Sequence, residues 1–419
     1  MRCSSDSKMD PTYQLLGNDP TRGKSSSRVP AEMASWPAGA IDIDTPEGAR
    51  QAAHEIAQVP EMAVDVEADA MHAFRARLCF VQVATERGVY LVDTLAPEVR
   101  AAALAHLFED PSKTKYFHAA GGDLQYLAEE GVRVHGLFDT HRAVTLLGWT
   151  RVGLADLARE LLGVELDKEH QQADFSLRPL PEAMRAYIAD DVRYLIEIGR
   201  RVREECRKAD IVEEVELDCR RLAEEAAARP DQAAPFRLKL PRQGMKPKDV
   251  ALARALARRL HELRLRWAEA ADVPMGRVLS NAAIAALAAH PPSSLRELSH
   301  AVGVRGAFVR EHGEEILATV RELIARAREG TLELEPEDRE PSGDPGRRKR
   351  AEVLKAWRAD KAAQRKVTPS VVLPNQLVDE LAAAPPPSTD ALGGLHWFGE
   401  KRVRLYGDEL VALLARFRD

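Results

Sequence analysis

Between residues 62 and 93 the apolar positions fall in three short runs, MAVDVEA (62–68), ARLCFVQVA (76–84) and GVYLVD (88–93), with ERG between the last two. Runs of this length, rich in β-branched side chains and bounded by turn-formers, predict three successive strands. KYFHA (115–119) predicts a fourth, followed by a Gly-Gly turn and a helix over 123–130, and VHGLFDT (134–140) holds a fifth strand and its exit. From there to residue 228 the spacing reads as helical. Met184, Ile188, Val192, Leu195 and Ile196 form one stripe at 100° per residue, the face a helix buries. Antiparallel strands followed by strand and helix alternation predict an α/β domain with a mixed sheet over 39–230.

Beyond residue 245 the strand pattern stops and the chain repeats itself. LSNAAIAALAAHPP (279–292) aligns without gaps to LPNQLVDELAAAPP (373–386), an offset of 94 residues, and Gly313 matches Gly407 at the same offset. Two small all-α modules follow, 245–330 and 347–419, joined by an acidic linker rich in Pro and Gly over 331–346. The first 38 residues, rich in Ser, Lys, Pro and Gly, predict a disordered extension with no secretory segment. No apolar run approaches a membrane span. Cys3, Cys79, Cys206 and Cys219 show no C-x-x-C pairing, which argues against a disulfide scaffold or a zinc site and fits a reducing cytoplasm.

Charge is distributed unevenly. Residues 1–244 carry 31 Lys/Arg against 41 Asp/Glu, 245–330 carry 14 against 10, and 346–419 carry 14 against 9. A cation-binding front and an anion-binding rear suit a metal enzyme acting on nucleic acid. GRRKR (346–350) and GEKRVR (399–404) are candidate phosphate contacts, and Trp397 and Phe398 either stack on bases or belong to a core.

The candidate chemistry is acidic. Asp65 and Glu67, two apart on a strand, project to one face, while Val64 and Val66 face the other way. Two adjacent carboxylates repel, and a divalent cation is the usual remedy. Asp123 opens a helix after Gly121 and Gly122, as a helix cap or as a third acid of a site. Tyr187 and Asp191 share one side of a helix, a turn apart, with Asp191 at the edge of the apolar stripe and Asp190 turned to water. A carboxylate at such an edge needs an arginine, a hydrogen-bond network or a metal. Asp139 caps the next helix. Gln82 contacts a terminal nucleotide or bonds backbone, and His118 is a satisfied strand-end histidine or faces substrate. Asp174 and Arg178 touch a substrate backbone or form local ion pairs.

These motifs, in this order, resemble the DEDD superfamily of 3′-5′ exonucleases in its tyrosine-bearing branch, and within it the ribonuclease D family. Asp65 and Glu67 match the first motif, Asp123 the second, and Tyr187 with Asp191 the third. HQQADFSLRPLPEAMRAYIADDVRYL (170–195) is similar to the family's segment around the third motif, with Phe175 where tryptophan is common and Ala173 where serine is common. The repeated modules resemble HRDC domains. The resemblance implies an RNase H-like nuclease domain that holds two divalent cations, Mg²⁺ or Mn²⁺, through Asp65, Glu67, Asp123 and Asp191, with Tyr187 orienting water. It implies single-stranded RNA, met at its 3′ end, as the partner, with tRNA precursors as a substrate by analogy, no nucleotide cofactor and no membrane. A DNA exonuclease of the same superfamily and a non-catalytic RNA-binding protein are the competing readings.

Overall fold

The computed structural model describes residues 39–167, 169–228, 238, 240, 246–332 and 345–417. The expected extension over 1–38, and all but the ends of the expected linker over 331–346, lie outside the described residues.

Six strands form one sheet: β1 (Ala40–Ile43), β2 (Glu61–Ala68), β3 (Leu78–Thr85), β4 (Gly88–Asp93), β5 (Thr114–Phe117) and β6 (Leu137–Asp139), in the order β1-β4-β3-β2-β5-β6. β2, β3 and β4 pair antiparallel, whereas β1 joins β4, and β5 joins β2 and β6, in parallel. The mixed sheet is the predicted one, with β1 added. That strand is four residues long at the sheet edge with Ile41 exposed, so it lacks the alternation that marks a strand in sequence. β3 is buried along its whole length, which explains its near-continuous apolar run.

The helical expectation from 140 to 228 holds only in part. Helices run over Thr140–Leu147, Glu182–Arg193, Leu195–Lys208 and Val212–Ala227, and Met184, Ile188, Val192, Leu195 and Ile196 are all buried. Between them, Gly148 and Gly163 adopt positive φ and stop helices, and 163–181 contains neither helix nor strand among its described residues. Phe175, 1% exposed, inserts from this loop into the core.

The described chain forms two compact units. One contains Asp69–Arg77 and the first helical module; the other contains the rest of the sheet domain together with the second module. The repeat survives in detail. Arg264 donates to the Leu279 carbonyl and to Asn281, and Arg358, 94 residues on, does the same to Leu373 and Asn375. A Cβ on Gly313 would sit 2.6 Å from Leu295, and one on Gly407 2.6 Å from Thr389, so both glycines mark the same close helix crossing. No helix among the described residues is long and apolar enough to cross a membrane.

The second module is held to the nuclease helix Val212–Ala227 by buried charge. Glu214, 1% exposed, receives Lys401 Nζ at 3.1 Å and Arg365 Nη1 at 3.2 Å. This corrects the phosphate-contact expectation for Lys401 and Arg402 of the 399–404 run. Lys401 and Arg402 are buried, the latter donating to the Val371, Trp397 and Phe398 carbonyls, and Phe398 is core.

Candidate active site

On β2 the pleat places Val64 and Val66 in the core and leaves Asp65 and Glu67 half-buried on the opposite face. The ladder to β3 slips after Glu67, as it does where a strand end must turn out of a sheet. One oxygen each of Asp65, Glu67 and Asp191 lie within 4.8 Å of one another. The strand alternation and the late helix thus meet at one point.

Tyr187 lies one turn before Asp191 and donates its phenol hydrogen to that carboxylate. Its ring is stacked on Phe175 at 6.3 Å and met edge-on by His170 at 5.9 Å. Phe175 is therefore a packing support behind the tyrosine, and no contact of its own toward substrate is open to it. Asp190 bonds Arg193 at 3.0 Å and is half exposed.

Asp123 does not cap its helix. It is the third residue of Gly121–Glu129, whose cap position is Ala120 without a side-chain bond. The segment before it is pinned by Asp139, which is buried and accepts the amides of Ala119 and Ala120 at 2.9 and 3.1 Å while capping Thr140–Leu147 through His141 and Arg142. Ala119 stands at φ 62°, a conformation that costs a non-glycine residue energy and that the Asp139 bonds offset. Asp139 thus does more than cap: it sets where Asp123 begins.

Burial and mutual repulsion raise every acid here. Asp65 is pushed well above its ordinary value by burial and then by Asp123. Glu67 is pushed up to about 9, by burial and then by Asp65, Asp191 and Asp123. Asp191 rises to about 8 through burial and Asp65, and Asp123 to about 7 through burial and Asp139. Tyr187 is raised too, by burial and then by Asp191, so its phenol stays protonated. Four acids lacking enough positive charge are what a bound cation would relieve. The donors are all carboxylate oxygens, a hard set of the kind that holds a divalent cation.

A cavity of about 290 Å³ opens onto Asp65, His118, Leu154, Tyr187 and Asp191. His118 Nδ1 lies 2.9 Å from the Thr140 hydroxyl, which itself donates to the Phe117 carbonyl. The hydroxyl must therefore accept, which places the ring proton on Nδ1 and leaves Nε2 as an acceptor. Burial, then His141, pulls the His118 value down to about 4, so the ring is neutral. His118 is both satisfied and cavity-lining.

The other substrate candidates are committed elsewhere. Gln82 is fully buried in register with Asp65, and neither of its amide atoms has a partner among the described residues, so it does not bond backbone there. Arg178 spends its guanidinium on both Asp93 oxygens and on the Cys79, Phe175 and Leu177 carbonyls, over the face of Phe80. No donor is left for phosphate. Asp174 accepts from the Ser176 amide and hydroxyl and shapes the loop. Asp167, Gln171 and Leu166, which also line the cavity, were not singled out in sequence, because a loop residue carries no period to mark its direction.

The fold and this acidic cluster define a 3′-5′ exonuclease with appended helical modules. The family model described as 3′-5′ exonuclease matches residues 41–207, and that of the HRDC domain matches 253–320 and 347–414. The chain is 31% identical to ribonuclease D of Gluconacetobacter diazotrophicus across 88% of its own length and 92% of the relative's. It is 31% identical to that of Acidiphilium cryptum across 90% and 95%. The crystal structure of Escherichia coli RNase D covers 91% of this chain and all of its own, at 22% identity and a TM-score of 0.61. The catalytic core of RRP6 from Trypanosoma brucei superposes at 0.57, at 24% identity over 72% and 87% of the two chains. The chain belongs to the ribonuclease D family and is a 3′-5′ exoribonuclease. An exonuclease domain of this kind uses divalent metal.

Proposed function

We propose that this enzyme hydrolyses single-stranded RNA from its 3′ end, releasing nucleoside 5′-monophosphates, with tRNA 3′ maturation as the task its family suggests. The observation that carries this reading is the convergence of Asp65, Glu67 and Asp191 within 4.8 Å, with Tyr187 bonded to Asp191. Asp65, Glu67 and Asp191, with Asp123 outside the triad, would hold a pair of divalent cations, Mg²⁺ or Mn²⁺. Such a pair, when bound, makes water nucleophilic and neutralises the departing oxygen. The chain's own residues do the rest. A phenol that stays protonated is no base, so Tyr187 orients the attacking water and holds Asp191 in place. His118, neutral and with Nε2 free to accept, faces a donor on the terminal nucleotide, for which a ribose hydroxyl qualifies.

Digestion of 3′-labelled and 5′-labelled RNA, with and without EDTA and beside matched DNA, tests this reading. Early release of the 3′ label as mononucleotide, stopped by EDTA, is expected. Faster cleavage of DNA would move the assignment to a DNA exonuclease, and tight binding without release would move it to an RNA tether.

A further inference from the structure

Strands β2, β3 and β4 share the face that carries Asp65, and their register fixes what else stands on it. Residues opposite each other in an antiparallel pair point to the same side of the sheet. Asp65 is opposite Gln82, which is opposite Leu91; two residues on, Glu67 is opposite Phe80, which is opposite Asp93. The helix Glu182–Arg193 packs across all three strands and, since its Asp191 meets Asp65 and Glu67, closes this face.

The two rungs are built differently. Asp93 is met by charge, because Arg178 binds both its oxygens from above the Phe80 ring. Gln82 is 0% exposed, and neither atom of its amide has a partner among the described residues. A buried amide without a hydrogen bond is costly, the more so in a strand built mainly of apolar side chains. Beside Gln82 on this face, Leu91, Phe80 and Ala84 are apolar, and the helix above buries Met184, Ile188 and Val192. The polar group directly opposite is the Asp65 carboxylate. Opposed side chains on paired strands have Cβ atoms about 5 Å apart, within the reach of a glutamine. Asp65 gives one oxygen to the acidic cluster and has a second with which to accept. A neutral donor suits this acid as a guanidinium suits Asp93. It orients the carboxylate without cancelling the charge that attracts a cation.

We infer that Gln82 is a positioning residue of the metal site: its amide N–H donates to Asp65 in the cation-loaded enzyme and fixes the oxygen that Asp65 presents. The same amide destabilises the metal-free fold and stabilises the filled site. This role rests on the reading of Asp65 as a metal ligand.

Gln82→Met and Gln82→Leu, made in the full chain, remove the amide and keep apolar volume. Binding of Mn²⁺ alone, followed through the electron paramagnetic resonance of the free ion, should weaken about tenfold, as when a metal-ligating side chain loses its supporting bond. Without metal, the same variants should melt at the wild-type Tm or up to about 2 °C above it, because an unpaired amide has left the core. At one fixed, subsaturating Mn²⁺ concentration, kcat on a 3′-labelled RNA should fall about tenfold while KM for RNA stays within about twofold. A side chain that merely fills the core would give the opposite pair, a lower Tm with unchanged Mn²⁺ binding. Wild-type affinity for Mn²⁺ in both variants, or a lower metal-free Tm in both, overturns the inference. Wild type that binds Mn²⁺ but releases no mononucleotide would sink the active-site reading alone, and wild type that binds none would sink both.

Discussion

Glu214 and Asp191 are both carboxylates on helices of one unit, yet Glu214 meets Lys401 and Arg365 whereas Asp191 meets Asp65 and Glu67. The first arrangement neutralises itself and serves as a joint. The second leaves negative charge uncompensated and is stable only with protons or a cation. Acids gathered with acids mark chemistry, and acids gathered with bases mark structure.

This contrast can be broken in four places. Asp191→Asn should lower the cleavage rate about a thousandfold or more, since several kcal/mol of transition-state stabilisation depend on its oxygen. Single-turnover rates on a 3′-labelled RNA measure it, and a loss under tenfold would remove Asp191 from the ligand set. Glu214→Ala should leave chemistry intact but destabilise the fold by about 2 kcal/mol, by removing the buried partner that Lys401 and the part-buried Arg365 share and leaving them Asp210 alone as a carboxylate. Denaturant unfolding reads this, and an unchanged midpoint would make the joint decorative.

The third test is pH. Glu67 and Asp191, raised to about 9 and 8, hold protons in the folded state that the unfolded chain has released. The contribution of these two acids to metal-free stability is therefore fully present below about pH 4 and is lost as pH rises toward 9. Divalent cation displaces those protons, so the rise in Tm on adding Mg²⁺ should grow from pH 6 to 9, as calorimetry with and without EDTA would show. A gain independent of pH would mean that these acids do not bind the ion. The smallest effect is expected at Asp190, whose exposed pair with Arg193 contributes under about 1 kcal/mol. Asp190→Asn should cleave within about threefold of wild type, and a loss equal to that of Asp191→Asn would refute the helix-face assignment.

Much of this was legible in the sequence because it depends on short periods. A strand repeats every two residues, which put Asp65 and Glu67 on one face; a helix nearly repeats every four, which put Tyr187 beside Asp191 and turned Asp190 away. The repeat of the rear modules was equally readable, down to Gly313 and Gly407. β1 escaped notice because four edge residues show no alternation, and the loop over 163–181 was read as helix although Gly148, Gly163, Pro179 and Pro181 interrupt it.

By itself, then, the sequence determined the sheet domain, the twin modules and the identity of the acids, since backbone dihedrals impose those periods wherever the chain folds. Only the tertiary structure decided which charges meet. Arg178 could have faced phosphate and instead clasps Asp93; Lys401 and Arg402 sit in a basic run and are buried; Asp139 reaches back to shape the start of Asp123's helix. A side chain's partner is chosen by long-range packing and by the cost of leaving a charge dry and alone, and neither follows from spacing along the chain.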